Sequence, residues 1–135
     1  MNRKASIVIL TAIFIFLATL GYTQNIIPWN EAHKHIGEHA TVEGTIVVTH
    51  NTGKVCFLNF HKNWKKYFTA VIFAADFLKF PSSPEVYYNN KKARITGLIK
   101  EYKGKPEIII KDPSQVSIID KNSGAENTLK YGGAQ

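Results

Sequence analysis

Residues 40–49, ATVEGTIVVT, alternate: Val42, Ile46 and Val48 fall on one side, and Thr41, Glu43, Thr45 and Thr49 on the other. A period of two marks a half-buried strand, and Gly44 inside it predicts a bend or bulge. HNTG (50–53) reads as a turn. KVCFLNF (54–60) is a second strand, in which Cys56, Leu58 and Phe60 form the more core-like set and Phe57 and Asn59 the opposite one. A polar, basic loop, HKNWKK (61–66), leads to YFTAVIFAA (67–75), which is apolar almost throughout and is predicted as a central third strand. DFLKFPSSPEVYY (76–88) does not alternate and holds two prolines, which predicts a short helical or irregular connection. KKARITGLIKEY (91–102) alternates again, with Ala93, Ile95, Gly97 and Ile99 opposite Arg94, Thr96, Leu98, Lys100 and Tyr102. KGK (103–105) is a tight turn centred on Gly104, PEIIIK (106–111) a fifth strand, and DPSQVSII (112–119) bends and runs on. Upstream, IPWNEAHKHIGEH (27–39) reads as a short helix capped by Asn30 and stopped by Gly37.

Five short strands result, two of them carrying an internal glycine where a small barrel must bend. An open sheet would leave two long apolar edges, and closure removes them. The expected fold is all-β: a five-stranded OB-fold Greek-key barrel with a short N-terminal helix and a short helical connection between strands 3 and 4. Val42, Ile46, Leu58, Val71, Phe73, Ile95, Ile99, Ile108 and Ile110 are expected inside.

The two ends differ from this domain, which is assigned to residues 25–119. MNRK is basic, ASIVILTAIFIFLATL is an apolar run of 16 residues, and GYTQ breaks it. That order predicts a signal peptide over 1–24, and hence a periplasmic or secreted protein with no stable membrane insertion after cleavage. The rival is an uncleaved anchor, for which the run is shorter than the roughly 20 residues of a spanning helix. The leader has no cysteine, which excludes a lipoprotein anchor. Residues 120–135 are polar, contain glycine and read as a disordered tail.

The leader holds Arg3 and Lys4 and no acid, so the net charge falls from +7 to +5 without it. Fourteen lysines and Arg94 carry the remaining positive charge, an excess that favours polyanions without choosing among them. Cys56 is the only cysteine, so no disulfide closes within the chain, and its place in an apolar strand predicts a buried, inert thiol. His33, His35 and His39 invite a metal reading. However, residues two apart on a helix point to different sides, and Gly37 interrupts the His35–His39 pair, so no metal or cofactor is expected. No nucleophile motif or phosphate loop is present, which argues against an enzyme. The carboxylates are scattered and one arginine follows the leader, unlike the secreted nucleases of the micrococcal type.

VEGTIV, KVCFLNF, FTAVIF and ARITGLIKEYKGKPEIIIKDPSQV together resemble bacterial exported OB-fold domains similar to the anticodon-binding OB domains of tRNA synthetases. The resemblance spans roughly residues 36–119, and EYKGKPEI followed by PSQ is its most specific part. It implies binding of nucleic acid, usually single-stranded, on the face of strands two and three, and no catalysis. It places Phe57 where an aromatic ring stacks on a base, with Asn59 beside it.

Single strands are held by aromatic platforms beside a positive groove. Trp64 between Lys62 and Lys65–Lys66 suits that role, as do Tyr102, Lys103 and Lys105 on the hairpin, with Arg94 as a further contact. The expected function is a non-catalytic module binding single-stranded nucleic acid through these residues. The alternative is an exported OB-fold domain that binds an oligosaccharide, a small ligand or a protein partner in the cell envelope, since one fold serves all of these.

Overall fold

The computed structural model describes residues 25–119. The leader and tail expectations therefore lie outside the described residues. Among the described residues no helix is long and apolar enough to cross a membrane.

The first element of the described residues is β1 (Ile26–Pro28), which pairs in parallel with β2 (His39–Thr45). Between them lies a 3₁₀ helix, Trp29–His35. This corrects the helix expected over 27–39: Ile27 and Pro28 are strand, His39 already belongs to β2, and Pro28, not Asn30, occupies the position before the helix. Asn30 lies inside the first turn, so its side chain cannot reach back over the helix start, and no side-chain cap is made. Gly37 follows at φ 90°, a left-handed conformation that ends the helix and that glycine adopts without strain.

The first long strand is two strands, β2 and β3 (Val48–Asn51). The ladder from β2 to its antiparallel partner runs unbroken through Gly44, so no bulge forms there. Gly44 is needed for space instead: a Cβ would stand 2.5 Å from Cδ1 of Trp29 and 2.7 Å from Cδ1 of Phe60. The break falls at Ile46–Val47. Ile46 N donates to Lys91 O (2.9 Å), while Val47 N donates to Asn59 O (2.9 Å), so the strand changes partner between two consecutive residues.

β4 (Val55–Asn59) and β5 (Thr69–Phe73) complete a meander with β3. The connection after β5 is a 3₁₀ turn, Ala74–Lys79, and a single helical turn, α1 (Pro84–Tyr87). The fourth long strand also divides, into β6 (Lys92–Leu98) and β7 (Lys100–Tyr102). At the division Ile99 N donates to Glu38 O (2.9 Å) and Ile99 O accepts from Gly37 N (2.7 Å). Lys103 (φ 49°) and Gly104 (φ 78°) form the tight turn into β8 (Lys105–Ile109). A 3₁₀ turn, Pro113–Gln115, capped by the Asp112 side chain, leads to β9 (Val116–Ile118).

β1, β2, β6 and β9 form one sheet in that order; β3, β4, β5, β8 and β7 form the other. β5 and β8 run parallel, and the remaining pairs of the second sheet are antiparallel. Joining the halves of each bent strand gives the order first, second, third, fifth, fourth, with the first also paired to the fourth. That is the OB-fold topology. The expected single closed barrel is corrected in one respect. The hydrogen-bonded ladder is not a continuous ring, because both bent strands exchange partners abruptly and divide it into two sheets.

The core between the sheets holds Val42, Ile46, Cys56, Leu58, Phe68, Ile72, Ile95, Ile99, Ile108 and Ile110, each at most 1% exposed. Phe73 is a correction: it is exposed, and Ala70 and Ile72 are the inward residues of β5. Val71 is buried but lies outside the core cluster, on the same side as its register partner Phe57. Burial of Cys56 pushes its thiol up to about 12.

Candidate nucleic-acid interface

Pairing in the five-stranded sheet sets its outer face residue by residue. His50 lies opposite Phe57, Phe57 opposite Val71 and Val71 opposite Ile109, giving one row across four strands. Val48, Asn59, Thr69, Glu107 and Lys100 form the next row, and Val55 with Phe73 a third. Phe57 stands at the centre of this face, half-buried.

Phe57 separates two clefts. The first, of about 380 Å³, is bounded by Val48, Thr49, His50, Phe57, Asn59 and Trp64. The second, of about 350 Å³, is bounded by Val55, Phe57, Val71, Phe73, Ile109 and the β7–β8 residues Lys100, Glu101, Tyr102 and Glu107. Each falls in the ~300–1,000 Å³ range of ligand sites. Three large aromatic side chains stay open to solvent around them: Trp64 (47% exposed), Phe73 (43%) and Tyr102 (50%).

The loop 60–68 carries the basic residues. Its stem is an aromatic cluster in which His61 lies 4.3 Å from Tyr67 and 5.6 Å from Trp29, centroid to centroid. Phe60 N donates to Phe68 O (3.4 Å) across its base, and Lys66 N to Asn63 O (3.1 Å) near its tip. Lys62, Lys65 and Lys66 are exposed, as is Lys103 on the hairpin turn, and none makes an ion pair among the described residues. The parallel β5–β8 pairing brings this loop and the β7–β8 turn to the same end of the sheet. The two segments touch, since Lys105 Nζ donates to Trp64 O at 2.6 Å.

Two expected contacts are placed elsewhere. Lys105 is not on the rim: it is 7% exposed and also donates to Thr69 Oγ1 (2.9 Å). It sits in the strand just past the turn, with its ammonium beneath the Trp64 loop. Arg94 lies on the other sheet, where its Nε donates to Glu43 Oε2 (2.8 Å). That hydrogen bond, helped by Lys92 at 3.3 Å, holds the Glu43 carboxyl below its ordinary pKa against a partial desolvation. Asn59 is on the Phe57 face but buried, with Oδ1 accepting from Thr69 (2.9 Å). Among the described residues no cluster of three metal-binding side chains forms; His35 instead bonds Glu38.

Burial raises the Glu107 carboxyl above its ordinary value, with Lys105 and Lys100 opposing. A raised folded-state pKa means the folded protein binds the proton more tightly than the unfolded chain. Its contribution is therefore fully present below the unfolded value of 4.5 and is lost as pH rises through the folded pKa. Glu107→Gln removes the ionisation and should flatten that part of the profile, raising stability at neutral pH relative to the parent. Urea unfolding at a series of pH values from 4 upward measures it, and an unchanged slope contradicts the assignment.

His50, Val48, Val55 and Phe73 line the clefts but were not among the expected site residues. Register to Phe57 could have found His50, had β3 been paired with β4 residue by residue.

No protein-family model matches the chain, and no curated protein matches it in sequence. Among solved structures it is similar to the asparaginyl-tRNA synthetase of Entamoeba histolytica, at 14% identity and a TM-score of 0.48, over 82% of this chain and 27% of that one. A chain described as an aspartyl-tRNA synthetase from Leishmania major Friedlin gives 10% identity and a TM-score of 0.48, over 71% and 21%. The aspartyl-tRNA synthetase of Entamoeba histolytica gives 14% and 0.44, over 64% and 19%. The chain thus spans about a fifth to a quarter of the length of each of these proteins.

Proposed function

We propose that the outer face of the five-stranded sheet binds single-stranded nucleic acid, without catalysis. One observation carries this reading. Phe57 stands between two largely apolar clefts, ringed by three exposed aromatic residues, with Lys62, Lys65, Lys66 and Lys103, which make no ion pair among the described residues, at one end of the same face. Bases stack on aromatic rings whatever their sequence, and free lysines attract the phosphates between them. The half-buried position of Phe57, bordering both clefts, suits a platform: part of the side chain is held by the sheet and part stays accessible.

The test is a titration of the intrinsic fluorescence of Trp29 and Trp64 with single-stranded and duplex oligonucleotides at two salt concentrations, repeated with Trp64→Phe to isolate the Trp64 signal. Single strands should quench it and bind more weakly at high salt. Lys65→Ala should weaken binding of all sequences alike and reduce the slope of log affinity against log salt by roughly 0.7. A slope equal to the parent's removes Lys65 from the phosphate path.

A second reading is an oligosaccharide ligand, favoured by the aromatic and largely apolar lining of both clefts, which Lys62, Lys65, Lys66 and Lys103 do not border. No affinity for any nucleic acid even at low salt, with binding of a glycan instead, selects it. Either ligand would be met in the periplasm or outside the cell if residues 1–24 are an export leader, which is part of this proposal. N-terminal sequencing of envelope protein should then begin between Gly21 and Asn25; an intact Met1 in a salt-washed membrane pellet overturns it.

A further inference from the structure

Three side chains form a relay under the first cleft. Lys105 Nζ donates to Trp64 O (2.6 Å) and to Thr69 Oγ1 (2.9 Å), and Thr69 Oγ1 donates to Asn59 Oδ1 (2.9 Å). The three span β8, β5 and β4, and all are nearly or wholly buried: Lys105 7%, Thr69 0%, Asn59 3% exposed.

The direction of each bond follows from chemistry. An ammonium donates and cannot accept. Thr69 therefore receives a proton from Lys105 and has one of its own to place. In a fully buried hydroxyl that proton needs an acceptor, and Asn59 Oδ1 is the one the structure provides. With its oxygen committed to Thr69, Asn59 is left with the amide Nδ2. That group takes no side-chain or backbone partner among the described residues, yet no fully buried side-chain nitrogen there lacks one. Nδ2 therefore keeps the small solvent contact that Asn59 has, 3% of the residue, and Asn59 borders the first cleft. The other side-chain polar groups bordering the cleft are those of Thr49, His50 and the Trp64 indole N–H, and Thr49 Oγ1 is already committed to Glu85 O (2.7 Å).

We propose that Lys105 sets the direction of this relay, so that the first cleft presents the Asn59 amide as a donor and selects a base with a keto oxygen over its amino counterpart. The proposal rests on the nucleic-acid reading above. It makes Lys105 a positioning residue: it touches no ligand and acts through Thr69 and Asn59. It also explains why a lysine is buried at a place where the turn could have left it in solvent. The same ammonium fixes the Trp64 carbonyl and lies 5.6 Å from the Trp64 ring centroid, so one group holds both a wall and the floor of the cleft.

The experiment compares oligodeoxyuridine with oligodeoxycytidine of equal length, which differ at the 4-keto or 4-amino group and the adjoining ring nitrogen. The parent protein should prefer the uridine strand by about 3–10-fold, the worth of one hydrogen bond made rather than blocked. Asn59→Asp replaces the donor with an acceptor and should reverse the preference. Lys105→Met frees Thr69 and Asn59 to turn and should bring the ratio near one, whereas Lys105→Arg, also donor-only, should keep it. Equal binding of both strands by the parent overturns the relay while leaving the nucleic-acid reading intact. A parent-like ratio in Lys105→Met with unchanged thermal stability does the same. If neither strand binds, both fall. Should Lys105→Met not fold, the Asn59 side-chain amide of the parent decides: its proton signals should shift on adding the uridine strand, and signals that stay in place overturn the proposal.

Discussion

Ile99→Ala is expected to lower the free energy of unfolding by about 2–5 kcal/mol, the range for removing a large aliphatic side chain from a core that cannot collapse around the gap. The position is unusually constrained. Ile99 is 0% exposed and sits where the fourth long strand leaves one sheet for the other. Its backbone is fixed on both sides, to Glu38 O and to Gly37 N, so the strand cannot sink inward to fill the space. Chemical denaturation monitored by circular dichroism measures the loss. A change under about 0.5 kcal/mol, the size of an ordinary surface substitution, would place Ile99 outside the core.

Phe57→Ala is expected to weaken single-strand binding by about 1–3 kcal/mol for each base that stacks on the ring, with the salt dependence nearly unchanged. The separation of effects is the informative part. An aromatic platform contributes through contact with a base, which salt does not screen, whereas a lysine acts on phosphates and is read in the slope. Since Phe57 borders both clefts, its loss merges them into one wider trough and removes the feature that would orient two successive bases. A folded Phe57→Ala protein with parental affinity places the ligand elsewhere.

Much of the architecture was readable from alternation. Strand four has one polar and one apolar side, and strand two sets Cys56, Leu58 and Phe60 against Phe57 and Asn59; the inward residues, Cys56, Leu58, Phe60, Ala93, Ile95 and Ile99, are buried as the pattern implies. The third strand defeated the same reasoning. FTAVIF is apolar on both faces, because one face enters the core and the other floors a groove, so period two held no information about which was which. Val71 and Phe73 were therefore assigned inward, while Ala70 and Ile72 hold that place. The two strand breaks were also hidden, since Ile46–Val47 and Ile99 look like uninterrupted β-sequence; only the partners change there. Lys105 was misplaced for a related reason. A lysine beside a turn reads as solvated, and its burial depends on the Trp64 carbonyl and the Thr69 hydroxyl, which come from residues far away in sequence. Phe57 and Asn59, by contrast, shared a face in the sequence and share it in the structure.

The lone thiol beneath the groove gives the molecule a built-in clock. Cys56 immediately precedes Phe57 on β4 but points into the core, 0% exposed, with a pKa pushed up to about 12. A thiol held protonated and out of solvent does not react with an alkylating reagent while β4 stays paired on both sides. Its modification rate therefore counts the openings of the central strand. A ligand that settled on the outer face and bound only the closed form would by mass action lower the ratio of open to closed molecules by the factor one plus its concentration over its dissociation constant. Occupancy of one side of the sheet would thereby be read through the chemistry of the other, with no label attached.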